Sequence, residues 1–328
     1  MTIDPTAHAA QLARLDPQSR AALDVLLQTL PNGLQGIPIP ERRQAFNAFI
    51  EASAAAYPEV PNVEMEERTI PSLDGASEIQ ARVYRPTGAS AKRPALYYIH
   101  GGGMVVGSLD VGAYACRVFA TELQAVVVNI NYRLAPEHPY PAAVEDCYAG
   151  LVWMGENADA LGIDTDRIAI YGESAGGGLT VATTLLTMDR NGPSPCYVMA
   201  IYPMLDDRHE TPSSHQITAL GVWDRDASVE AWAAYLNGAE ADGYAAPARR
   251  TDVKGFPSTF IDVGTEDTFR DEDIAFASKL MAAGTPTELH VNPGAFHSSE
   301  LMAPTSPLNQ RIVERRLAAL KENLSANA

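Results

Sequence analysis

Residues 168–189 read IAIYGESAGGGLTVATTLLTMD, and this stretch decides the fold. Its first four residues form an apolar run typical of a buried strand, and a helical pattern begins at Ala175. Between them, Gly172-Glu173-Ser174-Ala175-Gly176 matches the G-x-S-x-G pattern of a strained strand-to-helix turn, which needs both glycines because the backbone crosses closely there. Such a turn lifts the Ser174 hydroxyl out at the carboxyl end of a sheet, where open α/β folds place their sites. A glycine-rich turn with an incidental serine is the competing interpretation, since five-residue patterns recur by chance.

Eight apolar, β-rich runs along the chain alternate with helical patterns from the third run onward. Runs that stay apolar throughout predict strands buried on both faces, and strand–helix alternation predicts a mostly parallel sheet. The first two runs flank a turn at Asp74-Gly75 and predict an antiparallel pair at a sheet edge. The predicted fold class is therefore α/β. The predicted strands are Val63–Ile70, Ile79–Tyr84, Ala95–Ile99, Val126–Ile130, Ile168–Tyr171, Tyr197–Tyr202, Thr259–Val263 and Glu288–Val291.

Two segments stand outside this alternation. Residues 1–57 contain two amphipathic helical patterns separated by the breaker-rich PNGLQGIPIP. Residues 204–255 are too long for an ordinary connection between elements, which predicts an insertion packed over the sheet. Residues 58–203 and 256–328 then form the core. The helical patterns of the two segments lie near Asp16–Leu30, Glu41–Tyr57 and Ala227–Tyr235.

Composition limits the partners of the protein. The 328 residues include 41 acidic and 24 basic side chains, and the formal charge of −17 argues against nucleic acid or an anionic membrane, since phosphate binding needs clustered Lys and Arg. No apolar run approaches the roughly 18 residues that span a bilayer, and no basic leader precedes an apolar stretch, so we expect a cytoplasmic location. Cys116, Cys147 and Cys196 lack metal-ligand or disulfide spacing, so we expect buried apolar thiols and no metal site.

A second glycine cluster, His100-Gly101-Gly102-Gly103, directly follows the third predicted strand. Consecutive glycines cost backbone entropy, so we infer that the backbone approaches a ligand closely there. In acyl transfer that ligand is the oxyanion of the tetrahedral intermediate, which binds N–H groups of this loop and of the residue after the nucleophile. We therefore assign Gly102, Gly103 and Ala175 as candidate oxyanion donors. For His100, we favour orientation of the loop by a hydrogen bond over a role as base.

A serine hydroxyl needs a base to take its proton and a carboxylate to orient that base. In α/β folds with this serine turn, the order along the chain is serine, acid, histidine. His297 follows the last predicted strand in a loop, so it is the predicted base. The other later histidines are His209 and His215 in the insertion and His290 inside a strand.

The acid is predicted just beyond the strand Thr259–Val263, where Asp267 is the candidate and Glu266 is the rival. Residues 271–273, Asp-Glu-Asp, are expected to open the next helix, where acids complement the helix dipole. Four acids of the insertion are interpreted as solvated surface groups: Asp206, Asp207, Asp224 and Asp226.

With these features on one chain, the sequence resembles the hormone-sensitive-lipase-like family of α/β-hydrolase carboxylesterases, in its bacterial branch. The resemblance implies an α/β-hydrolase fold with an eight-stranded, mostly parallel sheet, a helical cap built from residues 1–57 and 204–255, and hydrolysis of short acyl esters without a cofactor. It also implies dimers formed through Glu288–Val291 and Asn309–Asn323. The matching stretches are His100–Gly103, Tyr132–Pro139 leading to Pro141–Ala143, Gly172–Gly177, Gly264–Glu272 and Gly294–His297.

Four positions depart from the family pattern. Glu173 stands where Asp is usual, which is a conservative change, and Met104 stands where an aromatic residue is common, which is expected to reshape the pocket. Thr268-Phe269 replaces Pro-Leu after the acid, and Ser298-Ser299 replaces Gly-Phe after the histidine. The last two changes bear on the geometry of the acid and histidine loops, and none of the four removes a catalytic atom.

The hypothesis is a serine carboxylesterase in which Ser174 attacks the acyl carbon, His297 relays the proton and Asp267 orients His297. The same residues also suit an amidase, lactonase or deacetylase of a small natural product, and a non-catalytic ligand-binding receptor is the alternative from another class. The net charge favours neutral or cationic esters over anionic ones. The apolar residues of the N-terminal helices are expected to pack mostly in the core rather than line an acyl pocket: Leu23, Leu26, Leu27, Leu30, Phe46 and Phe49.

Overall fold

The structure is a computed structural model that describes residues 5–29, 36–55, 57–88, 92–218, 220 and 222–325. Within these residues, eight strands form one sheet: β1 (Val63–Pro71), β2 (Glu78–Pro86), β3 (Arg93–Ile99), β4 (Val126–Asn131), β5 (Ile163–Glu173), β6 (Tyr197–Ile201), β7 (Ser258–Glu266) and β8 (Thr287–Phe296). Their order across the sheet is β1-β2-β4-β3-β5-β6-β7-β8. β2 pairs antiparallel with β1 and β4, and the other neighbouring pairs are parallel.

The predicted strands are all present, so the α/β class and the antiparallel pair at the sheet edge are confirmed. Three strands are longer than predicted at the ends that concern the site, and β5 continues to Glu173, directly before Ser174. β7 continues to Glu266 and β8 continues to Phe296, because these two residues still pair across the sheet. Asp267 and His297 therefore follow directly on neighbouring parallel strands, which end at the same edge of the sheet.

The helices of the described chain are α1 (Pro5–Leu12), α2 (Pro17–Thr29), α3 (Ile39–Ala54), α4 (Ala113–Glu122), α5 (Ala142–Glu156), α6 (Ala158–Leu161), α7 (Ala175–Arg190), α8 (Pro212–Gln216), α9 (Arg225–Leu236), α10 (Arg270–Ala282), α11 (Ser299–Met302) and α12 (Pro307–Leu324). The sequence did not predict α1, α6, α8 and α11, because helices this short carry little periodic signal. Helix α10 begins one residue before the predicted acidic turn.

The apolar runs of the strands are continuous because the sheet is covered on both faces. On β5, Ile168 and Ile170 belong to one core, which also contains residues of α5, α7 and α10. Ala169 and Tyr171 belong to a second core, which contains residues of α4 and α12. Successive side chains on a strand point to opposite faces, so both sets must be apolar.

The N-terminal helices contact both the core and the insertion. The backbone N–H of Asp16 donates to the carbonyl oxygen of Gly294 on β8 at 2.9 Å. The buried side chain of Arg42 on α3 forms an ion pair with Glu230 on α9. These contacts join residues before β1 to β8 and to the segment between β6 and β7, which are both distant from them in sequence.

Two acids of the insertion are buried, so their interpretation as solvated groups is wrong. Asp224 is 1% exposed and caps α9 by accepting a hydrogen bond from the N–H of Ala227. Asp206 is 6% exposed and is ion-paired with Arg208. Asp226 is exposed, as predicted.

The thiols of Cys116 and Cys147 are free and buried, as predicted, and Cys196 is half-buried. None of the helices in the described part of the chain has the length and apolar character needed to cross a membrane.

Candidate active site

Ser174 joins β5 to α7 with a φ of 57° and a ψ of −120°, a left-handed φ that is strained for a residue with a side chain. A Cβ atom on Gly172 would lie 2.2 Å from the carbonyl oxygen of Gly176. A Cβ atom on Gly176 would lie 2.1 Å from the carbonyl oxygen of Ile99 on β3. Side chains do not fit at these distances, so both glycines are required for the steric reason that the sequence pattern indicates.

The structure brings Ser174, His297 and Asp267 together. Nε2 of His297 lies 2.9 Å from Oγ of Ser174, and Nδ1 lies 2.8 Å from Oδ2 of Asp267. Oδ1 of Asp267 accepts a hydrogen bond from the backbone N–H of Phe269 at 3.0 Å, and the Asp267 side chain is fully buried. With Nδ1–H donating to the carboxylate, Nε2 has a free lone pair for the serine proton, a tautomer assigned from these contacts.

The rival residues have other partners. Both carboxylate oxygens of Glu266 accept hydrogen bonds from Arg14, at 2.9 and 2.8 Å. Nε2 of His209 lies 3.1 Å from Oγ of Ser228 on α9. His290 lies within β8 and forms a hydrogen bond inside that strand. Proximity to Ser174 therefore distinguishes His297 and Asp267 from the alternatives that the sequence left open.

Aromatic rings surround the imidazole of His297. The ring of Tyr202 packs edge-on at 4.6 Å between centroids, and that of Phe269 packs edge-on at 5.3 Å. The ring of Trp223, from the insertion, lies at 6.3 Å. Phe269 is one of the departures from the family pattern, and here it is buried and packs against the histidine.

The glycine loop packs against the serine turn. A Cβ atom on Gly101 would lie 2.9 Å from the carbonyl oxygen of Glu173, and one on Gly103 would lie 2.3 Å from the Trp223 ring. In the part of the chain that the structure describes, no acceptor receives a hydrogen bond from the backbone N–H of Gly102, Gly103 or Ala175. These three donors are thus available to an oxygen atom bound beside Ser174.

His100 is fully buried and does not contact Ser174. Its Nδ1 lies 2.8 Å from the carbonyl oxygen of Gly101, and its ring stacks on that of Tyr132 at 4.3 Å. The hydroxyl of Tyr132 in turn donates to the His100 carbonyl oxygen at 2.9 Å. Burial lowers the pKa of His100 to about 4. The histidine therefore stays neutral near pH 7 and can donate from Nδ1 to the loop.

Glu173 accepts a hydrogen bond at 2.6 Å from the hydroxyl of Tyr171, and the hydroxyl of Tyr98 lies 3.5 Å from its other oxygen. Burial raises the pKa of this carboxyl.

Among the described residues, no group of three or more His, Cys, Asp or Glu side chains is arranged to hold a metal ion.

An apolar cavity of about 170 Å³ lies beside Ser174 and His297. Among the described residues of its wall, Glu173 alone has a carboxyl side chain, and none has a lysine or arginine side chain. Met104 does not line this cavity and packs in the core. The apolar wall comes from α2, α3, the insertion and α11, and includes Leu26, Phe46, Phe49, Ile50, Val222, Trp223, Leu301 and Met302.

The predicted core packing of the N-terminal apolar residues is correct for some and wrong for others. Leu23 and Leu27 pack in a small cluster with Ile217 and Phe296. Three others line the cavity. Leu30 lies outside the described residues. The sequence also gave no signal for Trp223 and Leu301, because both reach the cavity only through tertiary packing. The three that line the cavity are Leu26, Phe46 and Phe49.

Comparisons with known proteins cover most of the chain. The family described as alpha/beta hydrolase fold matches residues 96–301. Carboxylesterase NlhH of Mycobacterium tuberculosis is 37% identical over 273 residues, which cover 81% of this chain and 85% of the relative. A solved structure named bacterial heroin esterase has a TM-score of 0.91 and 35% identity, covering 96% of this chain and 99% of that one. Esterase LipW from Mycobacterium marinum has a TM-score of 0.87 and 32% identity, covering 96% and 98%.

The low pKa of His100 predicts a specific loss of stability in acid. The folded protein resists protonation of this ring until about pH 4, whereas the unfolded chain takes up the proton near pH 6.5. The contribution of the neutral His100 ring to the free energy of unfolding is therefore fully present above pH 6.5. It falls as the pH drops towards 4, by up to about 3 kcal/mol. We expect His100→Asn, which keeps a donor near the Nδ1 position, to lose less stability than the wild type between pH 7 and 4.5 in urea titrations. His138→Asn, at an exposed site, is the control, and equal pH dependence of all three proteins would contradict the prediction.

Proposed function

We propose a serine esterase mechanism for this chain, which belongs to the α/β-hydrolase family in its hormone-sensitive-lipase-like branch. The chain is a carboxylic ester hydrolase by its relatives, and the observation that carries the mechanism is the hydrogen-bonded series Ser174–His297–Asp267. In a nucleophilic mechanism the serine, the base and the orienting acid take these positions relative to one another.

In the first half of the reaction, Oγ of Ser174 attacks the acyl carbon while its proton passes to Nε2 of His297. Asp267 keeps the imidazole oriented and stabilises its positive charge. The carbonyl oxygen becomes an oxyanion that accepts hydrogen bonds from the N–H groups of Gly102, Gly103 and Ala175. The last of these is the first residue of α7, where the helix dipole adds partial positive charge. Each such donor contributes about 2.7–4 kcal/mol to the transition state.

The tetrahedral intermediate collapses when the bond to the alcohol breaks, and the imidazolium of His297 gives its proton to the leaving oxygen. An acyl-enzyme remains on Ser174. A water molecule then attacks the same carbon, again losing its proton to Nε2 of His297. The carboxylic acid leaves as Ser174 recovers its proton, so the enzyme returns to its starting state without a cofactor.

The cavity supports a short acyl or alcohol group as substrate. Its volume of about 170 Å³ is close to that of a cavity that holds one benzene molecule, roughly six non-hydrogen atoms. Apart from the reacting Ser174 and His297, the polar side chains of the wall are those of Glu173 and Ser298. No cationic side chain is among the described lining residues, so neutral or cationic esters are favoured over anionic ones. We propose that residues 1–57 and 204–255 form the cap over this cavity, supported by Phe46 and Trp223 in its wall and by the ion pair between α3 and α9.

An ester is favoured over the amide, lactone or receptor alternatives. The relative and the solved structures described above, and esterase LipI of Mycobacterium tuberculosis, carry esterase names. A receptor has no need for a buried acid held on a histidine that in turn contacts a serine hydroxyl, and this chain retains all three groups.

We also propose a homodimer and a cytoplasmic location. β8 is the last strand in the sheet order, so its outer edge carries backbone groups that a second copy of the chain can pair with. Val313 is 47% exposed. It lies on α12, the helix that contacts β8. The three free thiols suit a reducing compartment.

Replacement of the proposed nucleophile tests the mechanism directly. We expect Ser174→Ala to lower the rate of p-nitrophenyl butyrate hydrolysis by at least about 10⁴-fold, because the attacking oxygen is lost. The wild type should be labelled by a fluorophosphonate and the variant should not. Circular dichroism serves as the control for folding, and wild-type turnover by a folded variant would refute the proposal.

The choice of acid is tested by a matched pair of neighbours. We expect Asp267→Asn to lower kcat on the order of 10⁴-fold, since the amide no longer fixes the imidazole tautomer. Glu266→Gln loses only its ion pair with the half-exposed Arg14, so its kcat should stay within about threefold of the wild type. The opposite ranking of the two variants would move the acid to Glu266.

The family resemblance implies a preference for acyl chains of about two to eight carbons, and the small cavity of about 170 Å³ supports short chains. We expect kcat/KM to be highest for p-nitrophenyl esters of about two to eight acyl carbons and at least about tenfold lower for the hexadecanoate. Phe46→Ala should extend activity to longer chains because it removes part of the cavity wall. Val25→Ala, on the exposed face of α2, is the control. A preference for long chains in the wild type would contradict this substrate class.

A further inference from the structure

A buried charged residue of α12 contacts both segments that carry the proposed acid and base. Asn309, Ile312 and Arg316 are spaced at i, i+3 and i+7, so they share one face of the helix, and all three are buried. An arginine on such a face is unusual, since charged side chains are rarely buried unless they are paired. Its partners therefore indicate why it is there.

Arg316 forms ion pairs with two carboxylates at once. Its Nε and Nη2 donate to the two oxygens of Asp262 at 2.8 and 3.1 Å. Its Nη1 donates to Oε1 of Glu300 at 2.6 Å. The exposed fraction of each of the three side chains is 6% or less. Burial opposes ionisation of Glu300, yet the charge of Arg316 and the hydrogen bonds hold its pKa below its ordinary value.

The two carboxylates lie on different segments of the site. Asp262 is on β7, the strand that ends immediately before Asp267. Glu300 is on α11, the short helix that begins two residues after His297. The guanidinium therefore fixes the spacing between the segment that carries the acid and the segment that carries the histidine.

Tyr202 extends this arrangement to the imidazole itself. Its hydroxyl donates to Oε1 of Glu300 at 2.7 Å, and its ring packs edge-on against His297 at 4.6 Å. The guanidinium carbon of Arg316 lies 5.4 Å from the centre of the same ring. Glu300 thus holds the ring that restricts one side of the imidazole.

The loop after His297 needs such support in this chain. Ser298 has a left-handed φ of 59°, and Ser298-Ser299 stands where the family pattern has Gly-Phe. Oγ of Ser299 donates to Oδ1 of Asn309 at 3.0 Å, so α12 holds the loop at a second point. A buried charge network is costly for stability alone, because apolar side chains of similar size pack as well. What it supplies is a defined geometry between three segments.

We propose that Arg316 and Glu300 are positioning residues of the hydrolytic reaction: they hold the β7 and α11 segments in register and orient the Tyr202 ring, so that the His297 imidazole stays aligned between Ser174 and Asp267. The assignment rests on the esterase mechanism proposed above. It predicts that loss of the contact slows the chemical step and leaves substrate binding unchanged, since neither residue lies in the cavity wall.

Two substitutions of Glu300 separate positioning from packing. Glu300→Gln keeps an oxygen that accepts from Tyr202 and Arg316, and it leaves the Arg316–Asp262 pair balanced in charge. Glu300→Ala removes both contacts. With p-nitrophenyl butyrate, and with kcat normalised to the sites labelled to completion by a fluorophosphonate, we expect Glu300→Ala to lower kcat about 10- to 100-fold with KM within twofold of the wild type. Glu300→Gln should retain at least about one third of wild-type kcat.

Leu320→Ala is the matched control. Leu320 is fully buried on the same helix, one turn after Arg316, and it contributes only apolar packing and none of the ion pairs. It should lower the melting temperature and leave kcat per labelled site unchanged. Wild-type kcat in Glu300→Ala, an equal loss in Glu300→Gln, or an equal loss in Leu320→Ala would each overturn the positioning role.

If Glu300→Ala does not fold, Tyr202→Phe removes only the hydroxyl that donates to Glu300. It should lower kcat about threefold or more at constant KM, and wild-type kcat would overturn the proposal. Ser174→Ala, assayed alongside, separates the two hypotheses. Activity that survives in Ser174→Ala refutes the esterase mechanism itself, whereas an inactive Ser174→Ala with a fully active Glu300→Ala refutes only the positioning role.

Discussion

The left-handed φ at Ser174 is the constraint on which the rest of the structure depends. A residue with a side chain adopts it only when the surroundings leave no alternative, and here the backbone of β3 passes so close to Gly176 that no Cβ atom fits. The same close packing brings the glycine loop after β3 against the turn. One steric arrangement therefore sets both the exposure of the serine oxygen and the position of the backbone donors proposed to bind the oxyanion.

The parallel sheet then supplies the other half of the site. β7 and β8 are neighbours and end at the same edge, so the residues that follow them, Asp267 and His297, arrive side by side. The strand ends alone do not fix the position of the His297 imidazole to within a few tenths of an ångström. Buried polar contacts do so, from the N–H of Phe269 on the carboxylate to the ion pairs of Arg316 behind the Tyr202 ring.

The cavity has a different origin from the reacting groups. Its wall combines helices before the sheet, an insertion between β6 and β7 and the short helix α11, and each part contributes only a few side chains. The contacts that join them are the small apolar cluster around Leu23 and Ile217 and single ion pairs such as Arg42 with Glu230. This division keeps the reaction centre on rigid strand ends and leaves the size of the binding space to surface segments that vary independently.

The sequence by itself determined the strand order along the chain, the α/β class, and which serine, acid and histidine to consider, because steric demands at Gly172 and Gly176 and continuous apolar runs are local properties. It left Glu266 as a rival of Asp267, it interpreted Asp206 and Asp224 as solvated, and it left open which of the N-terminal apolar residues, such as Phe46 and Phe49, line a pocket rather than pack in the core. Only the tertiary structure decided these points. No local pattern encodes the burial of a side chain, the ion pair of Glu266 with Arg14, or a place in a cavity wall. Each depends on residues that are distant in the chain and adjacent in space.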